Sequence, residues 1–201
     1  MKHFDEFMGV LKVLEKPAFR TSEFAAALAE SGRSPGYARL ALHRLGRKGK
    51  IIRVRRGWWA LPESLPEEIA CAMSAPCYVS FHSALYCHGL TTQIPSRIQL
   101  AVAARKPRKY VVLGTLAQEY GIPKRFFRGY AVRSGQALAL PEKAFADCLL
   151  LPRSCPDAIL VEALPGIDGS KTRAYCNRRM LGRLKKIRRQ AERGKGAGGR
   201  K

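Results

Sequence analysis

Apolar residues in the first third of the chain recur at spacings of three and four, the period of a helix with one buried face. Phe4, Phe7, Met8, Leu11 and Leu14 form one such stripe and predict a helix over 3–15, ended by Pro17. Phe24, Ala25 and Leu28 predict a second helix, with Thr21 or Ser22 as its cap. Ser31-Gly32-Arg33 supplies a turn. A third stripe follows in Ala38, Ala41, Leu42 and Leu45. Ser34 suits its N-cap, Pro35 its first helical position and Gly49 its C-terminal stop. The period then changes to two: Ile52 and Val54 alternate with Arg53 and Arg55, as in a half-buried strand. Arg56-Gly57 can turn tightly, and Trp58-Trp59-Ala60-Leu61 returns as a second strand. Helices followed by a hairpin within one short stretch make the layout of a winged helix-turn-helix.

Beyond residue 61 the pattern is mixed. The proline-rich 62–66 reads as a linker, and Pro66-Glu67-Glu68 opens a short helix to about Met73 with acids in its favoured first turn. Tyr78-Val79 predicts a strand, and 81–89 a helix stopped at Gly89. Ile98, Leu100 and Val102 alternate as one inward face of a strand. Further expectations are a basic loop over 104–110, a strand over 110–113 and a short helix over 115–120. Phe126-Phe127 and Tyr130-Ala131-Val132 are strand candidates, and helices are expected over 141–151 and 157–164. A last helix is expected from near Ser170 to about Arg193, with Cys176, Met180, Leu184, Ile187 and Ala191 as a narrow apolar stripe. The fold class is thus α/β (α+β). A winged helix-turn-helix domain spans 1–62, a linker with a short helix 63–75, and a mixed α/β domain ending in a basic helix 76–190. A disordered basic tail spans 191–201.

Charge sharpens this picture. The formal net charge is +22, which calls for a polyanionic partner. Residues 1–62 carry +8, residues 63–170 only +2, and residues 171–201 carry +12, so a nearly neutral middle lies between two basic ends. Between Ser31 and Pro62 there is no acid and there are nine Lys or Arg. A lone charge run is most often a solvated face, but helix, hairpin and charge together fit a duplex: helix in the major groove, hairpin on phosphates or the minor groove. Tyr37, Arg39, His43, Arg44 and Arg47 are therefore expected at base edges. Ser34, Lys48, Lys50, Arg53, Arg55 and Arg56 are expected at phosphates or the minor groove. Trp58 and Trp59 are expected to pack and support the hairpin. Arg105, Lys106, Arg108, Lys109, Arg183 and Lys186 are candidates for a second nucleic-acid contact.

Other chemistry finds little support. No apolar run approaches the ~20 residues of a membrane span, and the N-terminus lacks a signal-peptide core, so a cytoplasmic location without membrane partners is expected. The six cysteines form no CxxC pair and read as reduced thiols, mostly buried. Cys87-His88 with Cys77 or Cys71 matches no closed zinc motif. Cys87 and His88, as neighbours on a helix, point about 100° apart, and His82 with Ser83 has the same difficulty. Asp147, Asp157 and Glu162 lack the framing of a metal-binding carboxylate set. No catalytic residue, metal or cofactor is expected, and the protein reads as a non-enzyme.

Three stretches resemble the AbiEi family, the antitoxins and transcriptional regulators of AbiE-type toxin–antitoxin systems. They are GKIIRVRRGWWAL, YVSFHSALYCHGLTTQIPSRIQLAV and LPEKAFADCLLL. The resemblance covers most of 4–151, and it places Ser83, Ala84, Leu85, His88, Gly89, Leu90, Pro141, Glu142, Lys143 and Asp147 at motif positions. It implies an N-terminal domain that binds inverted repeats in its own promoter; two molecules, or a dimer, are expected to read such a repeat. It also implies a C-terminal domain that counteracts a nucleotidyltransferase toxin. The final helix is more basic than the family pattern. Two alternatives stand beside this reading: a ribosome- or tRNA-associated RNA-binding protein using the last helix, and a regulator without a toxin partner.

Overall fold

The computed structural model describes residues 2–30, 32–103, 106–133 and 136–197. Helices α1 (Lys2–Leu14), α2 (Thr21–Ala29) and α3 (Pro35–Arg47) close around Phe7, Leu11, Phe24, Leu28, Leu42 and Leu45, all buried; the Phe4 side chain lies outside the described residues. Each helix presents the stripe its spacing predicts, because only that face can leave water. Three strands complete this unit: β1 (Ala18–Arg20), β2 (Ile52–Arg55) and β3 (Trp58–Ala60), in the order β1-β3-β2. Gly57 turns the β2–β3 hairpin at φ +77°, where a side chain would be strained.

The segment after residue 61 does not separate two bodies. Ser64 Oγ donates to the Pro17 carbonyl at 3.1 Å, and α4 (Pro66–Ser74) packs against β1. Its Ile69, Ala70 and Met73 share one core with Ala18, Trp58 and Ala60 of the small sheet. They share it also with Val79, Ile98, Leu100 and Val102 of a second sheet. That sheet has six strands, in the order β6-β7-β5-β4-β9-β8. These are β4 (Cys77–Val79), β5 (Ile98–Ala103), β6 (Lys109–Val112), β7 (Thr115–Ile122), β8 (Tyr130–Arg133) and β9 (Gln136–Ala139). The β5–β7 and β4–β9 pairs are parallel and the others antiparallel.

Successive strand residues face opposite sides of the sheet, and both sides are covered. Ile98, Leu100 and Val102 face α4 and the small sheet. Tyr78, Ala101 and Ile122 face a second core that holds residues of α5 (Phe81–Cys87), α6 (Pro141–Leu150), α7 (Asp157–Ala163) and α9 (Arg178–Ala197). The short α8 (Gly169–Arg173) precedes α9 and packs on α6. The chain is therefore a stack: helical unit with its small sheet, α4, the large sheet, then the α5–α9 layer.

Several elements differ from the sequence expectation. Residues 115–120, expected as a helix, lie in β7, because Gly114 (φ +84°) closes a β6–β7 hairpin and β5 offers a parallel edge. Pairing overrides the helix-forming composition there. Phe126 ends a 3₁₀ turn, Lys124–Phe126, after Pro123 and lies in no strand. Phe127 sits 5.1 Å from the Tyr78 ring and 5.6 Å from Tyr130. β1, with three residues, and β9, whose Gln136-Ala137-Leu138-Ala139 does not alternate, carry no periodic signal. The last helix is two: Asp168 caps α8 by accepting from Ser170 N at 2.8 Å, and Asn177 Oδ1 accepts from Met180 N at 3.0 Å to open α9. Cys176 consequently precedes α9 and does not belong to its stripe. The helix continues through Ala197, where a disordered tail is expected, since each added residue closes a further backbone bond; residues 198–201 lie outside the described residues.

Candidate nucleic-acid interface

Ser34 stands at the N-cap position of α3 without a side-chain capping bond, Pro35 takes the first turn as read from the sequence, and Gly49, at φ +65°, follows the C-cap Lys48. Ala38, Ala41, Leu42 and Leu45 are essentially inaccessible, which fixes the rotation of the helix about its axis. Arg39, His43, Arg44 and Arg47 are consequently exposed. A helix rotated this way, with cations outward and bulky apolar residues inward, is held by its core and not by its charges.

The hairpin is braced from behind. Trp59 donates through Nε1 to Thr21 Oγ1 at 3.1 Å, and its ring runs beside Gly46, where an added Cβ would lie 3.4 Å from the ring. Trp58 is buried, and the Arg20 guanidinium lies 5.0 Å from its ring centroid. Both tryptophans thus pack, as expected. Arg53, Arg55, Arg56, Lys48, Lys50 and Ser34 are exposed. Arg55 is shared between two rings, 5.9 Å from Trp58 and 5.5 Å from Tyr110 of β6. It therefore ties the turn end of the hairpin to the large sheet, whereas Arg53 and Arg56 are left exposed.

Arg39 and Arg56 meet across a cleft of about 640 Å³ that Arg20, Thr21 and Ser22 also line. Arg20 is not legible as a site residue: it occupies the N-cap position of α2, where Thr21 or Ser22 is expected, and both of those lie within the helix. The start of α2 is built by Glu23, which accepts from the Arg20 N–H at 2.6 Å and pairs with Lys16 at 2.5 Å. Burial raises the Glu23 carboxyl, but Lys16 and the Arg20 amide outweigh it and hold it below its ordinary value.

Three of the residues expected at contacts have partners within the fold. Tyr37 is half-buried, with its ring 5.6 Å from Phe7 and Arg33 5.3 Å above it, so it packs α1 onto α3. Arg108 pairs with the buried Glu119 at 2.7 Å, and the carboxylate also accepts from Ser74 Oγ at 2.7 Å. That arginine closes a buried carboxylate under α4. Arg183 pairs with Asp157 at 2.5 Å and donates to the Cys148 carbonyl, binding α9 to α6 and α7. Lys106, Lys109 and Lys186 are exposed, and Arg105 lies outside the described residues.

The remaining reactive side chains are committed to the fold. His82 Nε2 reaches the Gln93 carbonyl at 2.9 Å, His88 Nε2 the Ala139 carbonyl at 2.7 Å, and Ser83 Oγ donates to the Arg97 carbonyl at 3.0 Å. Asp147 is fully buried and accepts from Lys143, from Ser80 Oγ at 2.7 Å and from Tyr78 OH at 3.0 Å. Burial pushes the Asp147 carboxyl up, against the pull of Lys143 and the two hydroxyls. Asp157 and Glu162 serve other partners, Arg183 and the Thr91-Thr92 loop. Cys71 and Cys77 lie together, their sulfurs 3.1 Å apart and both buried, whereas Cys87 is exposed. Among the described residues no group of three or more His, Cys, Asp or Glu side chains is placed to hold a metal ion. Among them also, no helix is long and apolar enough to cross a membrane.

No curated protein matches the chain. Among solved structures, the crystal structure of RV2827C protein from Mycobacterium tuberculosis is similar, at 21% identity and a TM-score of 0.48. The match covers 83% of this chain, which spans 65% of the length of that one. A family model described as transcriptional regulator, AbiEi antitoxin, matches residues 13–62. That span runs from the end of α1 through α2 and α3 to the close of the hairpin. Over that helix–hairpin segment the chain is thus similar to the AbiEi antitoxin transcriptional regulators.

Proposed function

We propose that the protein is a DNA-binding autorepressor that reads duplex DNA with a winged helix-turn-helix. In this reading α3 lies in the major groove and the β2–β3 hairpin against the flanking backbone. The match to AbiEi antitoxin regulators supports a regulator and antitoxin role. The observation that carries the DNA reading is the exposed cationic face of α3, opposite a fully buried apolar stripe. Arg39, His43 and Arg47, with Arg44, are assigned to base edges, where arginine pairs bidentately with guanine. Arg53, Arg56, Lys48, Lys50 and Ser34 are assigned to phosphates, and Arg20 joins Arg39 and Arg56 at their cleft. Two molecules, or a dimer, occupy an inverted repeat in the protein's own promoter. The rest of the chain counteracts a nucleotidyltransferase toxin, with all of this in the cytoplasm.

Titration of the promoter inverted repeat and of a scrambled duplex at several salt concentrations tests the DNA reading. Arg39→Ala with Arg47→Ala should weaken the specific site by about 1–3 kcal/mol per lost base pairing and leave the scrambled duplex nearly unchanged. Arg53→Ala with Arg56→Ala should weaken both duplexes alike and flatten the salt slope. Equal behaviour of the two pairs would sink the division of labour, and salt-independent binding would sink the phosphate contacts. Growth rescue on co-expression with a neighbouring nucleotidyltransferase gene tests the antitoxin role.

A further inference from the structure

Helix α9 runs from Arg178 to Ala197 and carries nine Lys or Arg against one acid, Glu192. Its packing face is settled by Met180, Leu184 and Ile187, all buried in the core it shares with α6 and α7. Arg183 lies beside that seam and is consumed by Asp157 and the Cys148 carbonyl. Six cations remain exposed: Arg178, Arg179, Lys185, Lys186, Arg189 and Arg193. At about 100° per residue they fall within an arc of roughly 120° opposite the seam, along about 22 Å of helix. Among the described residues none of the six has an ion-pair partner. A ridge this dense repels itself unless a polyanion covers it.

Its place in the stack separates it from α3. Trp58 and Ala60 of the hairpin pack on the side of the large sheet that holds Ile98, Leu100 and Val102. Met180, Leu184 and Ile187 pack on the side that holds Tyr78 and Ala101. The six-stranded sheet therefore stands between the two basic surfaces, and one short straight duplex cannot lie along both. The ridge also has no ring for bases to stack on. Tyr175, just ahead of α9, is half-buried against the second core, with Arg128 6.0 Å from its ring. Recognition of single strands depends on such stacking platforms, whereas a duplex backbone needs only aligned cations. We infer that the outer face of α9 is a second, sequence-independent binding surface for duplex DNA, so that one molecule can hold two duplex segments at once.

The test uses the full chain with one immobilised duplex carrying the inverted repeat and a second, labelled duplex of unrelated sequence in solution. The variant Arg179→Gln, Lys185→Gln, Lys186→Gln, Arg189→Gln changes only exposed side chains, and its melting temperature should match that of the natural protein. The natural protein should retain the labelled duplex. The α9 variant should retain at least tenfold less of it while binding the immobilised duplex as before. The salt slope for the second duplex should become shallower by about three to four. Retention of the labelled duplex unchanged by the variant overturns the inference. So does its displacement by structured RNA at a hundredfold lower concentration than by DNA, which would make RNA the partner. The double variant Arg39→Ala, Arg47→Ala separates the two surfaces. If it leaves inverted-repeat binding intact while the α9 variant abolishes duplex capture, the α3 reading fails and the α9 surface stands.

Discussion

Lys143 and Asp147 show how a pair of charges can be part of a core. Both are almost wholly inaccessible, one helical turn apart on α6, and Ser80 and Tyr78 supply the remaining bonds. Removing one member leaves the other charged and buried, which costs about 3–5 kcal/mol. Asp147→Ala should therefore lower the melting temperature by roughly 10 °C, at about 2–4 °C per kcal/mol for a chain of this size. The joint replacement Lys143→Met, Asp147→Leu should recover part of that loss, because it leaves no buried charge, though the Tyr78 and Ser80 hydroxyls still lose their acceptor. Calorimetry or circular-dichroism melts decide it; a double variant no better than Asp147→Ala would refute the buried-pair account. The sequence shows the i, i+4 spacing of this pair but not its burial. A lysine and an aspartate at that spacing read equally well as a solvated surface pair. Only the convergence of Tyr78 and Ser80 from β4 and its end turns them inward.

Among the elements, the 91–93 loop is held by two titratable groups from different helices. Burial, only partly opposed by the Gln93 carbonyl and Glu162, holds the His82 imidazole below its ordinary value of 6.5. The Thr92 amide and then the Thr92 hydroxyl hold the Glu162 carboxyl below its ordinary 4.5. The signs agree. A depressed imidazole disfavours the folded loop as pH falls below 6.5, and a depressed carboxyl stabilises it above 4.5 and releases it as pH falls through its lowered value. Protection of the Thr92 and Gln93 amides against hydrogen exchange, corrected for intrinsic rate, should fall on acidification through both ranges. Glu162→Gln should remove the lower step and, by withdrawing its pull on the His82 imidazole, deepen the upper one. Protection that is flat with pH would show that neither group holds the loop.

The legibility of elements followed the range of their contacts. α3 and the β2–β3 hairpin were readable because stripe, cap, turn glycine and alternation all lie within a few residues of one another. β7 departs from its sequence expectation because its fate depends on β5, a partner distant in sequence, while its own composition favours a helix. β1 depends on β3 in the same way, with Ala18 opposite Ala60. Among the site residues, Arg39, His43, Arg44 and Arg47 followed directly from the rotation of α3. Tyr37, Arg108 and Arg183 did not, since what captures them is Phe7, Glu119 and Asp157.

At the scale of the whole molecule, the helix–hairpin unit is not self-contained. Ala18, Trp58 and Ala60 are covered by α4 and share a core with the large sheet. A fragment ending at residue 62 would expose that face and bury too little elsewhere to fold well, given how marginal such small units are. Its thermal melt should lack the cooperative transition of the full chain. A sharp melt near the full-length temperature would mean that the shared core contributes little. The same continuity gives the proposed α3 and α9 surfaces a fixed relation, with no free linker between them.

Local rules acting within about one helical turn or one strand decided much at the level of sequence: the buried face of α3, the hairpin turn at Gly57, the two concentrations of positive charge and the alternation of β5. These depend on spacing and backbone freedom, which neighbouring residues set by themselves. Tertiary structure alone decided which cations are available. Arg183, Arg108 and Arg55 are drawn into ion pairs or ring contacts, while Arg39, Arg47 and the α9 ridge are left facing water. It also decided that the large sheet stands between the two basic faces. Both outcomes turn on long-range pairings, in which a side chain's partner is fixed by the packing of distant segments and not by its place in the chain.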